Sequence, residues 1–188
     1  YLADHSRPFD PEHMLNFEAG YRFTGSKATT ALTLFHALRS DQQVDLSSQQ
    51  DPRDPNSFVF FIANAAEGRN SGIEVEHTYR PTSRIRLFGS LGYLSTHVDA
   101  YTFETASGEE LTLGDRAAAH APRYTFRIGG QYRDRTGLFG RLELSAMDEF
   151  YFSDSHNQKS DPYQLVNGNI GYGGQSWTVT VWARNLLD

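Results

Sequence analysis

Residues 71–80 read Ser-Gly-Ile-Glu-Val-Glu-His-Thr-Tyr-Arg, and their apolar and polar side chains alternate. Ile73, Val75, His77 and Tyr79 fall on one side of an extended chain, while the glutamates and the threonine fall on the other. Because successive side chains of a β-strand point to opposite faces, this stretch predicts a strand with one apolar and one polar face.

The same period of two recurs along most of the chain. It is clear in residues 84–93, 123–133, 138–146 and 177–184, and weaker in 15–23, 28–39 and 165–172. No helical stripe competes with it, and the longest apolar run, residues 58–63, is far short of the ~18 residues of a membrane helix. The sequence therefore predicts an all-β chain of eight strands.

Composition excludes several classes of function. The 188 residues contain no cysteine, and 17 Lys+Arg against 23 Asp+Glu give a net charge of −6. The acidic balance argues against nucleic acid as a partner, and the lack of cysteine excludes disulfides and thiolate metal sites. No G-x-S-x-G, P-loop, H-E-x-x-H or G-x-G-x-x-G motif occurs, and the seven histidines lack ligand spacing. We therefore expect no enzymatic activity, no cofactor and no metal site.

The predicted connections alternate between short and long. The short ones are 24–27, 81–83, 134–137 and 173–176, and the long ones are 41–57, 97–121 and 148–162. In an up-and-down antiparallel order, this alternation puts every tight turn on one rim and every long loop on the other. That asymmetry is typical of membrane β-barrels, whereas a soluble Greek-key sandwich has no reason to sort its loops in this way.

Aromatic residues lie close to the short turns, at the alternate strand positions that belong to the apolar face. They are Phe23, Tyr79, Tyr132, Tyr172 and Trp177. This placement is typical of a membrane-interface girdle, where amphipathic rings meet lipid headgroups.

Periodicity alone does not say which face meets water. In a soluble barrel or sandwich the apolar face forms the core, whereas in a membrane barrel it meets lipid and the charged face lines the lumen. Loop sorting and the aromatic girdle favour an antiparallel up-and-down transmembrane β-barrel. Two alternatives stay open: a small closed outer-membrane barrel acting as an anchor or adhesin, and a soluble ligand-binding β-barrel.

Several motifs resemble, in the same order, those of TonB-dependent outer-membrane receptors. They are Pro11-Glu12 with Asn-Phe-Glu-Ala-Gly at 16–20, Gly-Ile-Glu-Val-Glu at 72–76 with Tyr79-Arg80-Pro81, Ala-Pro-Arg-Tyr at 121–124, Val-Asn-Gly at 166–168 with Gly171-Tyr172, and Trp177 leading to Arg-Asn-Leu-Leu-Asp at 184–188. The family's closing motif is N-L-F-D, from which Leu187 departs conservatively.

The resemblance implies that residues 1–188 form the C-terminal portion of a twenty-two-stranded barrel, with the plug domain and the final strand outside this chain. It implies an outer-membrane receptor of a Gram-negative bacterium, with TonB-energised uptake of a ferric siderophore or similar bulky nutrient. The implied partners are outer-membrane lipid and lipopolysaccharide, the TonB complex acting through the plug, and the nutrient ligand.

Two groups of residues are candidates for contact with that ligand. Aromatic and histidine side chains in the last two long loops form the first: Tyr101, Phe103, Tyr151, Phe152 and His156. Arginines on the polar face, whose guanidinium groups suit carboxylate and phosphate oxygens, form the second: Arg127, Arg141 and Arg184. The alternative for the arginines is that they pair with carboxylates of the lumen or of the plug.

Overall fold

A computed structural model describes residues 10–49, 51, 53–64, 67–104, 110–154 and 156–187, with the backbone alone at positions 45, 46, 48, 59–61, 63, 103, 104 and 111. Twelve β-strands and no α-helix occur in these ranges. No helix long and apolar enough to cross a membrane is found in this part of the chain.

Eight of the strands form one antiparallel sheet, and the other four form two hairpins. The sheet contains β1 (His13–Thr24), β2 (Ala28–Ser40), β5 (Gly68–Tyr79), β6 (Ile85–Val98), β9 (Tyr124–Arg133), β10 (Leu138–Met147), β11 (Tyr163–Gly173) and β12 (Thr178–Ala183), in that order. The hairpins pair β3 (Gln43–Gln49) with β4 (Phe58–Asn64), and β7 (Tyr101–Glu104) with β8 (Glu110–Leu113). Neighbours in the sheet follow chain order, which confirms the predicted all-β, up-and-down architecture.

The pairing register keeps each class of side chain on its own face across the whole sheet. One row of directly paired residues is entirely apolar: Leu32, Val75, Leu91, Phe126 and Ala146. The next row, on the opposite face, is Glu76, Ser90, Arg127 and Ser145. Because a slip of one residue would exchange the faces, this register is strongly specified by the sequence pattern.

The apolar face has no second layer packed against it within the described part of the chain. Ile128 is 58 % exposed, Leu142 59 % and Val181 68 %. A two-sheet sandwich would bury these side chains in a core about 10 Å thick. The sheet is instead a single layer that offers its apolar face to the surroundings, which argues against the soluble sandwich.

Two hydrogen-bonded pairs of polar residues interrupt the apolar face. The Thr30 hydroxyl and His77 Nδ1 are hydrogen-bonded at 2.9 Å, and the Ser71 hydroxyl and His36 Nδ1 at 2.8 Å, in both cases between β2 and β5. An unpaired polar group in hydrocarbon costs several kcal/mol. Because their polar groups are paired, these residues can lie in an apolar environment. On β2 they flank Leu32 and Leu34.

The long connections contain structure that the sequence analysis did not predict. The expected loop 41–57 holds β3, and the connection continues through β4 to residue 67. The expected loop 97–121 begins two residues later than predicted, after Val98, and holds the β7–β8 hairpin. Residues 58–63 are apolar without interruption, so β4 lacks the two-faced alternation that identified the strands of the sheet.

The aromatic residues of the predicted girdle all lie at strand ends that border the short turns. Tyr172 and Trp177 flank the turn between β11 and β12, with ring centroids 5.7 Å apart. The same turn is closed by a hydrogen bond from Gly174 N to Trp177 O of 2.7 Å. All five rings are well exposed on or beside the apolar face, in the position that an interfacial role requires.

The turn between β9 and β10 is organised by one carboxylate. Asp134 Oδ1 accepts hydrogen bonds from Thr136 N (2.9 Å), Thr136 Oγ1 (2.8 Å), Gly137 N and Leu138 N (both 3.0 Å). The hydrogen bond from the Thr136 hydroxyl is the main cause that lowers the pKa of Asp134, and the backbone donors add to it. The ionised carboxylate is thus part of the folded turn.

The position of Ile128 midway between Tyr124 and Tyr132 on β9 gives a direct test of the two faces. Ile128→Arg should lower the free energy of unfolding in lipid vesicles by about 2–4 kcal/mol, because it puts a charge at mid-depth in hydrocarbon. Thr125→Arg, on the polar face of the same strand, should cost less than about 1 kcal/mol. Urea titration of the refolded protein measures both, and equal costs would contradict the assignment of faces.

Acid sensitivity tests the Asp134 turn. A carboxyl whose folded pKa lies below its ordinary 3.8 stabilises the fold fully above about pH 5, and this contribution is lost as the pH falls through the folded pKa. Asp134→Asn should therefore show a smaller drop in melting temperature between about pH 5 and pH 2 than the wild type. Asp161→Asn, at an exposed loop carboxylate, is the control and should lose as much melting temperature in acid as the wild type does. An unchanged acid response in Asp134→Asn would count against this account.

Candidate functional site

The polar face of the sheet divides into two regions of different charge. On β1, β2 and β5 the charged side chains of this face are Glu18, Arg22, Arg39, Glu74 and Glu76. On β6, β9 and β10 they are Arg86, Arg127, Arg133, Arg141 and Glu143, and Arg184 follows the end of β12. The half of the polar face from β6 to β12 is therefore strongly basic.

One carboxylate in this basic half serves two guanidinium groups. Arg127 Nη2 donates to Glu143 Oε2 at 2.7 Å, and Arg141 Nη2 donates to the same oxygen. The Glu143 side chain is only 12 % exposed, whereas that of Arg127 is 51 % exposed. Because two cations share one anion, the cluster keeps an excess positive charge that an anionic ligand can contact.

A phenylalanine lies among the same arginines. The guanidinium carbon of Arg141 is 4.4 Å from the centroid of the Phe88 ring, and those of Arg86 and Arg127 are 5.6 and 5.9 Å away. Phe88 pairs with Gly129 across β6 and β9, and a Cβ on Gly129 would come within 2.5 Å of the Phe88 ring. Gly129 thus leaves the space that the Phe88 ring occupies beside the arginines.

All three arginines predicted from the sequence line one cavity of about 460 Å³ on the polar side of β9–β12. Asn167, Asn169 and Trp182 complete much of its wall, and the Arg184 guanidinium carbon is 5.2 Å from the Trp182 ring centroid. Guanidinium and amide donors beside aromatic faces suit an anionic ligand with delocalised oxygens. The structure thus brings Arg127, Arg141 and Arg184 together.

A second cluster joins the last two long loops, at the strand ends opposite the short turns. The Arg116 guanidinium carbon lies 4.0 Å from the Tyr151 ring centroid, and Arg116 Nη2 donates to the carbonyl oxygens of Ser153 (2.8 Å) and Asp154 (3.0 Å). Backbone bridges link residue 119 to Tyr151 and Tyr151 to Lys159. The two loops are therefore fixed to each other through Arg116 and Tyr151.

Tyr101 belongs to this loop cluster and is almost fully buried. Its hydroxyl donates to the Asp154 carbonyl oxygen at 3.4 Å. Burial raises the pKa of Tyr101 to about 12, and the nearby negative charge of Asp154 adds to the rise. The phenol therefore stays neutral at physiological pH, and its position favours support of the loop over direct contact with a ligand.

The other loop candidates are more accessible. Phe152 is exposed, and its ring meets that of Phe150 edge-on at 5.7 Å. His156 is exposed, and its Nδ1 accepts a hydrogen bond of 3.2 Å from Gln158 N. The Phe103 side chain lies outside the described residues. No contact among the described residues joins this loop group to the arginine cavity.

Sequence reasoning did not single out Phe88, Glu143, Trp182 or Arg116 as members of a site. The first three lie on the polar face, at the same alternate positions as the predicted arginines. The alternation combined with strand pairing could therefore have identified them. No local signal marks Arg116, because its partners come from the next long loop. In the described part of the chain, no three His, Asp or Glu side chains are grouped to hold a metal ion.

Comparison with known proteins gives consistent matches. A family model described as TonB dependent receptor-like, beta-barrel, matches residues 3–186. The pesticin receptor of Yersinia pestis is 21 % identical over 187 residues, which cover 97 % of this chain and 25 % of that protein. The chain therefore spans about a quarter of the length of this relative.

Two solved structures are similar over nearly the whole chain. The copper transporter OprC has a TM-score of 0.73 at 16 % identity, covering 96 % of this chain and 26 % of that one. The ferric yersiniabactin uptake receptor FyuA from Yersinia pestis has a TM-score of 0.71 at 17 % identity, covering 94 % and 25 %. At these identities the likeness shows the fold alone.

The loop cluster is tested by Arg116→Lys, which keeps the charge but loses the planar donor pair. Charge-assisted hydrogen bonds contribute about 1.5–3 kcal/mol each, so amide exchange at His120 and Phe152 should accelerate at least about tenfold. Exchange in the strands of the sheet should not change. Arg53→Lys, at an exposed position in the first long loop, is the matched control, and hydrogen-exchange mass spectrometry is the measurement. Unchanged exchange at residues 119–122 and 148–154 in Arg116→Lys would overturn the proposed coupling.

Proposed function

The chain belongs to the TonB-dependent receptor β-barrel family, and we propose that it forms about eight strands of the barrel of a nutrient receptor in the outer membrane of a Gram-negative bacterium. Residues 1–188 are the C-terminal portion of that barrel, and the plug domain and final strand belong to other parts of the receptor. The proposed cargo is a ferric siderophore or a similar bulky metal chelate. The receptor moves its cargo without making or breaking a covalent bond, so it is not an enzyme.

The observation that carries this proposal is the opposite character of the two faces of one uncovered sheet. Exposed leucine, isoleucine and valine side chains cover one face, and the other carries the Arg127–Glu143–Arg141 cluster. A barrel in a bilayer needs that arrangement, with the apolar face toward lipid and the charged face toward a polar lumen. Lipid and lipopolysaccharide are then the partners of the apolar face.

The nature of the cargo is supported by the chemistry of the polar face and by the relatives. FyuA is a ferric yersiniabactin uptake receptor, and OprC is a copper transporter. Arg127, Arg141 and Arg184 offer guanidinium donors that suit the carboxylate, phenolate or phosphate oxygens of a metal chelate. Exposed Phe152 and His156 at the long-loop rim are suited to an earlier contact with the same ligand.

In the proposed mechanism the cargo binds first to the long loops and to the plug. Energy supplied through the TonB complex then remodels the plug and opens a path along the polar face. The basic half of that face favours an anionic cargo over the whole path, because each guanidinium contact can be replaced by the next. The shared Glu143 keeps each arginine from holding the cargo with its full charge.

The small closed barrel has no observation in its favour. An eight-stranded barrel requires β1 to pair with β12, and in the described sheet each of these strands has a single neighbour. Unpaired strand edges are unfavourable in hydrocarbon, so further strands must complete the wall.

Uptake by whole cells tests the proposed function. The full-length protein, produced in a host that lacks its own ferric-siderophore receptors, should import radiolabelled iron from a panel of ferric siderophores. Import should stop when the host's TonB gene is deleted, because a receptor of this class depends on that energy source. Uptake that persists without TonB would contradict the proposal.

Variants of the Glu143 cluster test the role of the polar face in the same assay. Replacing Arg127, Arg141 and Glu143 together by Gln removes the cluster without leaving an unpaired charge, and should slow uptake at least about tenfold. Glu143→Gln alone frees both guanidinium groups and should tighten cargo binding. Arg22→Gln, on the polar face of β1, is the control and should transport as the wild type does. Equal uptake rates for the triple variant and for Arg22→Gln would contradict the proposed role of the cluster in transport.

A further inference from the structure

A single guanidinium lies on the apolar face of the sheet. Arg69 of β5 pairs directly with Leu38 of β2 and with His97 of β6, and directly paired residues share a face. Among the strand residues of the sheet, all of which the structure describes, Arg69 is the one Lys or Arg on this face, and no Asp or Glu lies there. Arg69 therefore marks a place where the surroundings of the apolar face are no longer hydrocarbon.

The position of Arg69 along β5 puts it at the boundary of the apolar band. Tyr79, a member of the aromatic girdle, lies ten residues away at the other end of the same strand. At about 3.3 Å per residue and a tilt of about 40°, ten residues rise about 25 Å, which is the height of the apolar band of such barrels. The Arg69 side chain is therefore level with the lipid headgroups on the side of the long loops, where its charged end can leave the hydrocarbon.

The neighbours of Arg69 on this face are polar as well. Ser71, the next residue of β5 on the apolar face, pairs directly with Ser95 of β6. The Ser71 hydroxyl and His36 Nδ1 of β2 are hydrogen-bonded at 2.8 Å. Together His36, Arg69, Ser71 and Ser95 form an outer polar patch that offers hydroxyl and guanidinium donors at headgroup depth.

The apolar surface begins directly below this patch. The next row toward the short turns consists of Leu34, Ile73 and Tyr93, which pair with one another across β2, β5 and β6. Leu34 is 48 % exposed and Tyr93 46 %. A ligand that fits both levels has an anionic head beside Arg69 and hydrocarbon chains below it.

The positive charge of Arg69 is not balanced within the described part of the chain. Its side chain is exposed and makes no ion pair with a described residue. The two acids nearest to His97 are already partnered, since His97 Nε2 lies 3.2 Å from Asp99 Oδ1 and 3.6 Å from Asp115 Oδ1. Arg69 is thus the cation of this face that is available to an external anion.

We infer that the outer polar patch binds a phosphate group of lipid A, the phosphorylated glycolipid of the outer leaflet, through Arg69. The inference rests on the proposed location in an outer membrane, but not on the identity of the cargo. Long loops of membrane barrels are extracellular, so the lipid at this boundary is lipopolysaccharide rather than a glycerophospholipid of the inner leaflet. The planar guanidinium can donate to two phosphate oxygens at once, while the acyl chains of the same molecule lie over Leu34 and Ile73.

Native mass spectrometry of the full-length receptor in detergent tests the phosphate contact. Bisphosphorylated lipid A should bind at least about fivefold more tightly than lipid A without its phosphates, since a cation near an anionic lipid contributes about fivefold. Arg69→Gln should remove this preference without changing the binding of the dephosphorylated lipid, and Arg69→Lys should keep part of it. Arg53→Gln, which removes an exposed cation of the first long loop, is the matched control and should keep the whole preference.

Two competitors distinguish lipid A from other sources of phosphate. Inorganic phosphate should not displace lipid A, because it has no acyl chains to cover the apolar row. Phosphatidylglycerol at equal concentration should displace only a minor part, because its diester carries one negative charge whereas a phosphate monoester carries nearly two. Circular dichroism melting should show the same stability for Arg69→Gln and the wild type, since the exposed side chain makes no ion pair in the fold.

The inference is overturned if the wild type binds both forms of lipid A equally, if Arg69→Gln keeps the preference, or if either competitor displaces lipid A. It is also overturned if a second copy of the receptor covers the patch, which would appear as a dimer that Arg69→Gln dissociates. Because these measurements need no transport, a failure of uptake with the lipid A preference intact would fault the proposed function alone. Normal uptake with no lipid A preference would fault this inference alone.

Discussion

The constraint on which the rest of the structure depends is that no water is present in the hydrocarbon of a bilayer to bond the backbone. Every N–H and C=O at that depth must find its partner within the protein, and an antiparallel ladder does this when each strand has two neighbours. In the described sheet the six inner strands have two neighbours each. The alternation of side chains between two faces is a direct geometric result of that ladder, so an apolar face and a polar face come with it.

The exceptions to the alternation support the same account. Two pairs of polar residues on the apolar face are hydrogen-bonded, Thr30 with His77 and His36 with Ser71. On the polar face the half-buried carboxylate of Glu143 is balanced by two arginines rather than left alone. In each case the group that a low-dielectric environment would penalise has a partner on the neighbouring strand or on its own strand.

Sequence alone gave a good prediction of the wall and a poor one of the loops. Ile73, Val75 and Tyr79 identify their strand because the period of two is itself the signature of a two-faced sheet. The β3–β4 and β7–β8 hairpins have no such requirement, since they extend beyond the sheet and need not separate lipid from lumen. Their residues therefore carry no regular pattern, and β4 is apolar without alternation.

The residues of the candidate site also differ in how well the sequence predicts them. Parity on single strands was enough to predict Arg127 and Arg141, because a guanidinium on the polar face is visible in one strand. Their common partner Glu143 and the ring of Phe88 become apparent only when the register of β6, β9 and β10 is known. The contact of Arg116 with Tyr151 depends on two loops that are adjacent in space, and no local pattern encodes that adjacency.

The two-faced wall can be measured directly, because the chain contains no cysteine. Single cysteines introduced at residues 124–133 of β9 and spin-labelled in lipid vesicles report collisions with oxygen, which concentrates in hydrocarbon, and with a water-soluble nickel chelate. The account predicts alternation, with oxygen dominant at 126, 128 and 130 and the nickel chelate dominant at 125, 127 and 129. Equal accessibility to the nickel chelate on both sides of β9 would contradict it.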